Sequence, residues 1–179
     1  MGKFQQLQGV LLLGTWTIII PAVILLLTRD INIGWNLDFP INLSLIIIGF
    51  LSACFGLWLI ISTSLLLIKI GEGTTSPFAP PKNLVVTGIY QYVRNPMMIG
   101  VLFVILGECI LLGSFSLFCW LLFAILGTHI AFIIYEEPEL IRRFGDDYLL
   151  YIKHVPRWIP RLKPWMGLSK NTFPNEKKD

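Results

Sequence analysis

The sequence predicts an all-α fold: a polytopic membrane bundle of about four transmembrane helices with a short cytoplasmic C-terminal helix. Of its 179 residues 55% are hydrophobic, and the mean hydropathy is +0.72, above the roughly 45–50% apolar share of an ordinary soluble domain. Apolar runs of about 20 residues recur, the length needed to cross the hydrocarbon layer. Basic residues collect in one set of connectors and in the tail. Residues 1–179 therefore read as a single membrane domain.

The first predicted span covers residues 7–27 and the second 41–68, long enough to tilt or extend beyond the bilayer. The third and fourth, 96–112 and 114–135, are separated only by Gly113 and its neighbours, so they must form a tight hairpin. Lys and Arg near helix ends set orientation. Lys3 precedes the first span; the next connector sets Arg29 against Asp30 and Asp38. The following one carries Lys69, Lys82 and Arg94 against Glu72, and the tail beyond Pro138 has nine basic residues against five acidic ones. Both termini and the second connector are expected to face the cytoplasm, and the chain to reside in the cell inner membrane. The first run is too long for a signal-peptide core and Leu27-Thr28-Arg29 offers no small-residue cleavage pattern, so it reads as an anchor. Cys54, Cys109 and Cys119 lie inside spans without Cys-x-x-Cys spacing, which indicates neither a disulfide framework nor a metal site.

Residues 71–87 contain three prolines and glycines at 71 and 73, which rule out a regular helix. Phe78 and Val85-Val86 suggest a segment lying along the membrane interface, either a surface linker or a lid over a pocket. The polar end, 169–179, is expected to be disordered.

Two polar clusters fall where apolar runs meet water. In the first, Arg94-Asn95-Pro96, Asn is expected to cap free backbone N–H groups and Pro to open the third span. A helix start also carries partial positive charge and aims N–H donors outward, so with Arg94 beside it the site suits a carboxylate or phosphate, and Tyr90 and Tyr92 lie at the same depth. Gly100 lets a neighbouring helix approach. In the second, Glu136 and Glu137 close the fourth span, where the dipole is unfavourable unless the chain breaks and restarts at Pro138. They read either as a helix junction paired with Arg94, Arg142 or Arg143, or as carboxylates that bind an ammonium group or hydroxyls.

His129 stands seven residues before Glu136, two helical turns away and on roughly the same face. An ionisable group within a span tends to be functional, although a membrane histidine also often bonds to a neighbouring helix. Glu108, near the opposite end of the third span, reads as a structural or headgroup contact. In the tail, Leu140, Phe144, Leu149 and Ile152 recur at helical spacing, with Gly145 interrupting and Asp146 capping the next turn. The run Val155-Pro156-Arg157-Trp158-Ile159-Pro160-Arg161 then alternates rings, cations and prolines, as suits the headgroup layer. Anionic lipid accounts for this positive balance, so no nucleic-acid partner is expected.

Taken in order, Gly88-Ile89-Tyr90, Tyr92-Val93-Arg94-Asn95-Pro96-Met97 with Gly100, Glu136-Glu137-Pro138-Glu139-Leu140, Arg143-Phe144-Gly145 with Tyr148 and Tyr151, and Val155-Pro156-Arg157-Trp158-Ile159-Pro160 resemble the isoprenylcysteine carboxyl methyltransferase and phospholipid methyltransferase superfamily. The resemblance covers residues 71–160, about half the chain. It implies a membrane methyltransferase that uses S-adenosylmethionine near the cytoplasmic face and a lipid-like acceptor, an isoprenylcysteine-type carboxylate or a phospholipid amine. Carried over residue by residue, Tyr90, Arg94, Asn95, Pro96, Gly100, Glu136, Glu137 and Tyr148 would line the cofactor site, and His129 would be the base if the acceptor needs one. Asn95 stands where the carboxyl methyltransferases usually have histidine, and Met98 where they have tyrosine. A more distant resemblance to membrane sterol and steroid reductases implies NADPH instead, and a non-enzymatic scaffold is the third reading.

Overall fold

The computed structural model describes residues 3–28, 35, 41–72 and 81–167. The expectations for Phe78 and for the polar end, 169–179, lie outside the described residues. Among the described residues there are helices and turns and no strand. Helix α1 (Lys3–Gly14) passes through a wide π-helical turn (Thr15–Ile19) into α2 (Ile20–Thr28). Helix α3 (Ile41–Lys69) follows, then a 3-10 turn (Gly88–Gln91), α4 (Pro96–Leu112) and α5 (Phe115–Ala131). A second π-helical turn (Phe132–Glu136) joins α5 to α6 (Glu137–His154).

Three stretches are long and apolar enough to cross a membrane: Leu11–Thr28, Ile41–Lys69 and the helix that begins at Phe115. Helix α4, with 17 residues, rises about 26 Å, near the lower limit for a span. The chain is an integral membrane protein. Hydroxyls inside the apolar stretches return to their own helices: Thr17 donates to the Leu13 carbonyl at 2.8 Å, Thr63 to Leu59 at 2.7 Å and Thr128 to Ala124 at 2.7 Å. Such bonds satisfy a polar group where no water is available.

Helices α3 and α4 are antiparallel and nearly touch at the backbone. A Cβ added at Gly56 would lie 2.5 Å from the Gly100 carbonyl oxygen, and one at Gly107 would lie 2.7 Å from the Gly49 carbonyl oxygen. The seven-residue spacing of Gly49 and Gly56, and of Gly100 and Gly107, places both pairs on one seam. Close approach at small residues is how helices associate in lipid, where burial of apolar surface offers little driving force. Ser52 adds a bond across the seam to the Phe103 carbonyl, 2.9 Å long, and Phe55 meets Phe103 edge-to-face at 5.0 Å. The helix approach expected at Gly100 is thus present.

The α4–α5 hairpin turns at Gly113, whose φ of 57° and ψ of 34° place it in the left-handed region that suits glycine. Ser114 accepts from the Leu117 N–H at 3.3 Å and starts α5. Val101, Ile105, Leu121 and Ala124 form the membrane core of this pair, with Leu13 and Trp16 of the first span packed against it.

Beyond the apolar run, α6 bends at Gly145, with φ 54° and ψ −132°, at the interruption the sequence predicts. A second core forms outside the spans from Val86, Tyr148, Tyr151, Val155 and Trp165. It joins the connector to the tail. Three further bonds hold these segments together: Tyr151 Oη donates to the Tyr90 carbonyl at 2.6 Å, Arg161 N to Tyr92 O at 2.9 Å and Trp165 N to Gln91 O at 3.1 Å.

Candidate active site

The start of α4 is the first wall of the site. Pro96 opens the helix as expected and Asn95 occupies the position before it. The expected side-chain cap is absent: Asn95 makes no capping hydrogen bond. Its backbone φ of −124° and ψ of 55° belong to neither the extended nor the helical geometry, and the side chain faces a cavity instead of the helix it begins. Asn95 Nδ2 is buried without a partner. Proline at the first position lightens the need for a cap, since one of the free N–H groups is missing.

The second wall is the junction of α5 and α6. The sequence suggests a break and restart at Pro138, but the helix continues and absorbs the proline in the π-helical turn Phe132–Glu136. Proline has no N–H to give the previous turn and its ring crowds the carbonyl four residues back. A widened turn accommodates both problems. It also inserts about one extra residue and rotates the remainder of the helix by roughly 100°. The expected common face of His129 and Glu136 is therefore lost.

The two glutamates separate by role. Glu137 accepts from Arg157 twice, Nε to Oε1 at 3.0 Å and Nη2 to Oε2 at 2.8 Å, and also from Arg94 Nη1. The side chains of Arg94, Glu137 and Arg157 are 7%, 13% and 24% exposed, so this is a largely dehydrated triad. Both Glu137 oxygens are thus engaged by protein groups, and Glu137 is not among the cavity-lining residues. Glu136 does line the cavity, as do Tyr90, Arg94, Asn95 and Tyr148. Pro96, Gly100 and His129 do not.

The cavity measures about 610 Å³ and lies between the first span, the starts of α4 and α6, the end of α5 and the connector. That volume falls within the usual range for small-molecule sites. Tyr90, Arg94, Asn95, Glu136, Glu139 and Tyr148 supply its polar groups. Leu12, Leu13, Trp16, Met98 and Val101, from the membrane spans, supply an apolar region. The Tyr148 hydroxyl is buried beside the Arg94 guanidinium, yet has no hydrogen bond of ordinary geometry. Burial first, and the Glu136 carboxylate second, push the Tyr90 phenol well above its ordinary range. Two buried polar groups without partners, facing one cavity, are the features a polar ligand would satisfy.

Four consecutive tail residues complete the site. The Val155 carbonyl accepts from Arg94 Nε at 2.8 Å and the Pro156 carbonyl from Arg94 N at 2.9 Å. Arg157 grips Glu137 and lies 5.8 Å over the Phe132 ring. Trp158 Nε1 donates to His129 Nδ1 at 2.9 Å. Sequence reasoning places this run in the headgroup layer and misses its contacts with Arg94, Glu137 and His129. The available signal is local: a cation and an indole side by side between prolines, in a segment too short for a helix.

Among the described residues no group of His, Cys, Asp and Glu is arranged to hold a metal ion. Residues 44–147, more than half the chain, match the family model for phospholipid methyltransferase. The chain is similar to protein-S-isoprenylcysteine O-methyltransferase of Schizosaccharomyces pombe, with 36% identity over 123 residues, or 63% of this chain and 48% of that protein. It therefore spans about half the length of that relative.

Proposed function

The chain belongs to the phospholipid methyltransferase family, and from that premise we propose that it transfers a methyl group from S-adenosylmethionine to a lipid-like acceptor at the cytoplasmic membrane face. One observation carries the reading: a single cavity brings unpaired polar groups at Asn95 and Tyr148 together with an apolar region drawn from the membrane spans. A polar cofactor and an amphiphilic acceptor need those two surfaces side by side. The acceptor of the fission-yeast relative is an isoprenylcysteine, and the family model is named for phospholipids. Either acceptor class has an apolar tail and a polar reacting group.

The residues fit the cofactor's chemistry. Arg94, Asn95 and the start of α4 would hold its carboxylate, and Glu136 would hold its amino group or ribose. The bound cofactor supplies an electrophilic methyl on a sulfonium. The protein's part is to align the acceptor with that methyl and exclude water, with no covalent enzyme intermediate. A carboxylate acceptor needs no base. An ammonium or thiol acceptor must lose a proton, and the carboxylates that face the cavity are Glu136 and Glu139.

Both termini would lie in the cytoplasm, on the basic side of the membrane. The reading is tested by titrating S-adenosylmethionine calorimetrically into detergent-solubilised protein. Glu136→Gln and Asn95→Ala should each weaken binding about tenfold, the scale of one charge-assisted or buried hydrogen bond. Wild-type affinity in both variants would sink the assignment.

A further inference from the structure

The cavity has an inner end as well as a polar one, and the first span helps to build it. Val101 stands five residues into α4 from Pro96, and Thr128 eight before Glu136, so the cavity runs roughly 8–12 Å inward from its polar groups. One turn deeper, Ile105 and Ala124 no longer line it and are each 0% exposed. The core they form with Val101 and Leu121 is the floor. Of the three residues that the first span contributes, Leu12, Leu13 and Trp16, the last lies farthest along the helix and packs against that core.

Trp16 is braced from behind. Its ring stacks on Trp120 of α5, with centroids 5.2 Å apart and planes 27° from parallel, and Trp120 stacks in turn on Phe123 at 5.5 Å. Trp120 Nε1 is buried without a hydrogen-bond partner, which costs about 1–3 kcal/mol. The place of this ring is therefore set by its shape and not by its donor. The backbone contributes too: Trp16 lies in the π-helical turn Thr15–Ile19, where the Ile20 N–H reaches back to the Thr15 carbonyl. Such wide turns occur frequently at functional sites. Arg94, Asn95 and Glu136, assigned above to the cofactor, fall within the residues 44–147 that match the family model, and the first span precedes them. The inner end of the cavity thus draws on residues outside the shared stretch.

We propose that Trp16, held by Trp120, is a specificity-determining residue for the acceptor: it closes the inner end of the cavity and selects a lipid with a short apolar chain beside its reacting group. The inference rests on the methyltransferase reading for the reacting end and adds the length of chain that fits. Trp16 touches the chain, and Trp120 is a positioning residue that acts through it. A chain that ends at the floor keeps its contacts with Leu12, Leu13 and Val101. A longer one meets the indole and must fold back toward the bilayer, losing those contacts. In a closed apolar pocket even one added methylene discriminates by about tenfold or more.

The test measures methyl transfer by detergent-solubilised full-length protein along two acceptor series. One comprises S-geranyl, S-farnesyl and S-geranylgeranyl cysteine derivatives; the other comprises phosphatidylethanolamines with hexanoyl and with oleoyl chains. The readout is the ratio of kcat/KM for the long acceptor to that for the short one, which cancels any loss of folded protein. The wild type should favour the shortest chain. Trp16→Ala should raise the long-to-short ratio about tenfold, and Trp120→Leu should raise it in the same direction. Trp120→Phe, which restores a ring for Trp16 to stack on, should return the wild-type ratio. Should Trp16→Ala fail to fold, Trp16→Phe replaces it, with an expected rise of about threefold.

A second readout needs no turnover. S-geranyl cysteine and hexanoyl phosphatidylethanolamine, each carrying a diazirine at the far end of its chain, are photolysed with the protein and the labelled peptide is identified by mass spectrometry. One of them should label the first span at Trp16, and the same compound without the diazirine should compete. A ratio that Trp16 substitution leaves unchanged overturns the proposal, as does failure of both probes to label the first span. Competed labelling at Trp16 in protein that neither binds S-adenosylmethionine nor transfers a methyl group would support the floor and defeat the methyltransferase reading. Transfer with a ratio indifferent to Trp16 would do the reverse.

Discussion

Arg157 and Glu137 are joined by two parallel hydrogen bonds, of 3.0 and 2.8 Å, although twenty residues separate them. The planar guanidinium matches the carboxylate in the geometry that makes such pairs strong. Because Arg94 shares the same carboxylate, removal of Glu137 leaves two guanidinium groups poorly hydrated and unopposed. Glu137→Gln should lower stability by about 3 kcal/mol, as expected when one partner of a mostly buried pair is removed. Glu136→Gln, at a carboxyl that faces the cavity and takes no part in the triad, should stay within about 0.5 kcal/mol. Unfolding in mixed micelles measures both. Equal losses would show that the two glutamates do not divide structural and ligand roles.

The seam between α3 and α4 gives a second contrast. A Cβ at Gly56 would meet the Gly100 carbonyl oxygen at 2.5 Å and the Val104 nitrogen at 2.7 Å, and both are backbone atoms that cannot swing aside. Gly56→Ala should force the helices apart at a cost of about 1–3 kcal/mol. A Cβ added at Gly127 would meet nothing within 4 Å, so the same change there should gain up to about 1 kcal/mol, the helix-propensity difference. Opposite signs at two membrane glycines are measurable by thermal denaturation in detergent.

Asn95 should behave as a ligand residue and not as a cap. Loss of a working N-cap costs about 1 kcal/mol, yet the Asn95 side chain makes no such bond. Asn95→Ala should therefore change the melting temperature little and weaken S-adenosylmethionine binding. A large loss of stability with unchanged binding would reverse that reading.

Tyr90 links stability to alkaline pH. Burial, assisted by the Glu136 carboxylate, holds its phenol well above the ordinary range. The unfolded chain gives up this proton near pH 10 and the folded chain keeps it. The contribution is therefore complete below about pH 10 and declines as the pH rises further. Tyr90→Phe should flatten the fall in melting temperature between about pH 9 and 11. An unchanged slope would mean that Tyr90 ionises freely in the folded protein.

Much of the fold can be read from the chain because its strongest signals are local. Apolar length marks the spans, Gly113 with Ser114 marks the hairpin, and Gly145 marks the bend in α6. The positions that face the cavity are less legible. Asn95 carries the preferred residue type for a cap and does not cap; the free N–H groups that would reward it are already reduced by Pro96. Counting about 100° per residue puts His129 and Glu136 on one face, and the π-helical turn that separates them arises from Pro138 meeting an uninterrupted helix. Arg157 and Trp158 depend on contacts twenty and twenty-nine residues away, and no local periodicity encodes such contacts.

The hydrogen bonds from Arg161 to Tyr92 and from Trp165 to Gln91 set the order in which the protein can mature. A ribosome releases the membrane spans first, and they can insert and pair while the tail is still being made. The Arg94 segment meanwhile lacks its carbonyl acceptors and its guanidinium neighbour. Synthesis must proceed through Trp165 before that segment is clamped, so an inserted but truncated chain would occupy the membrane without a finished site.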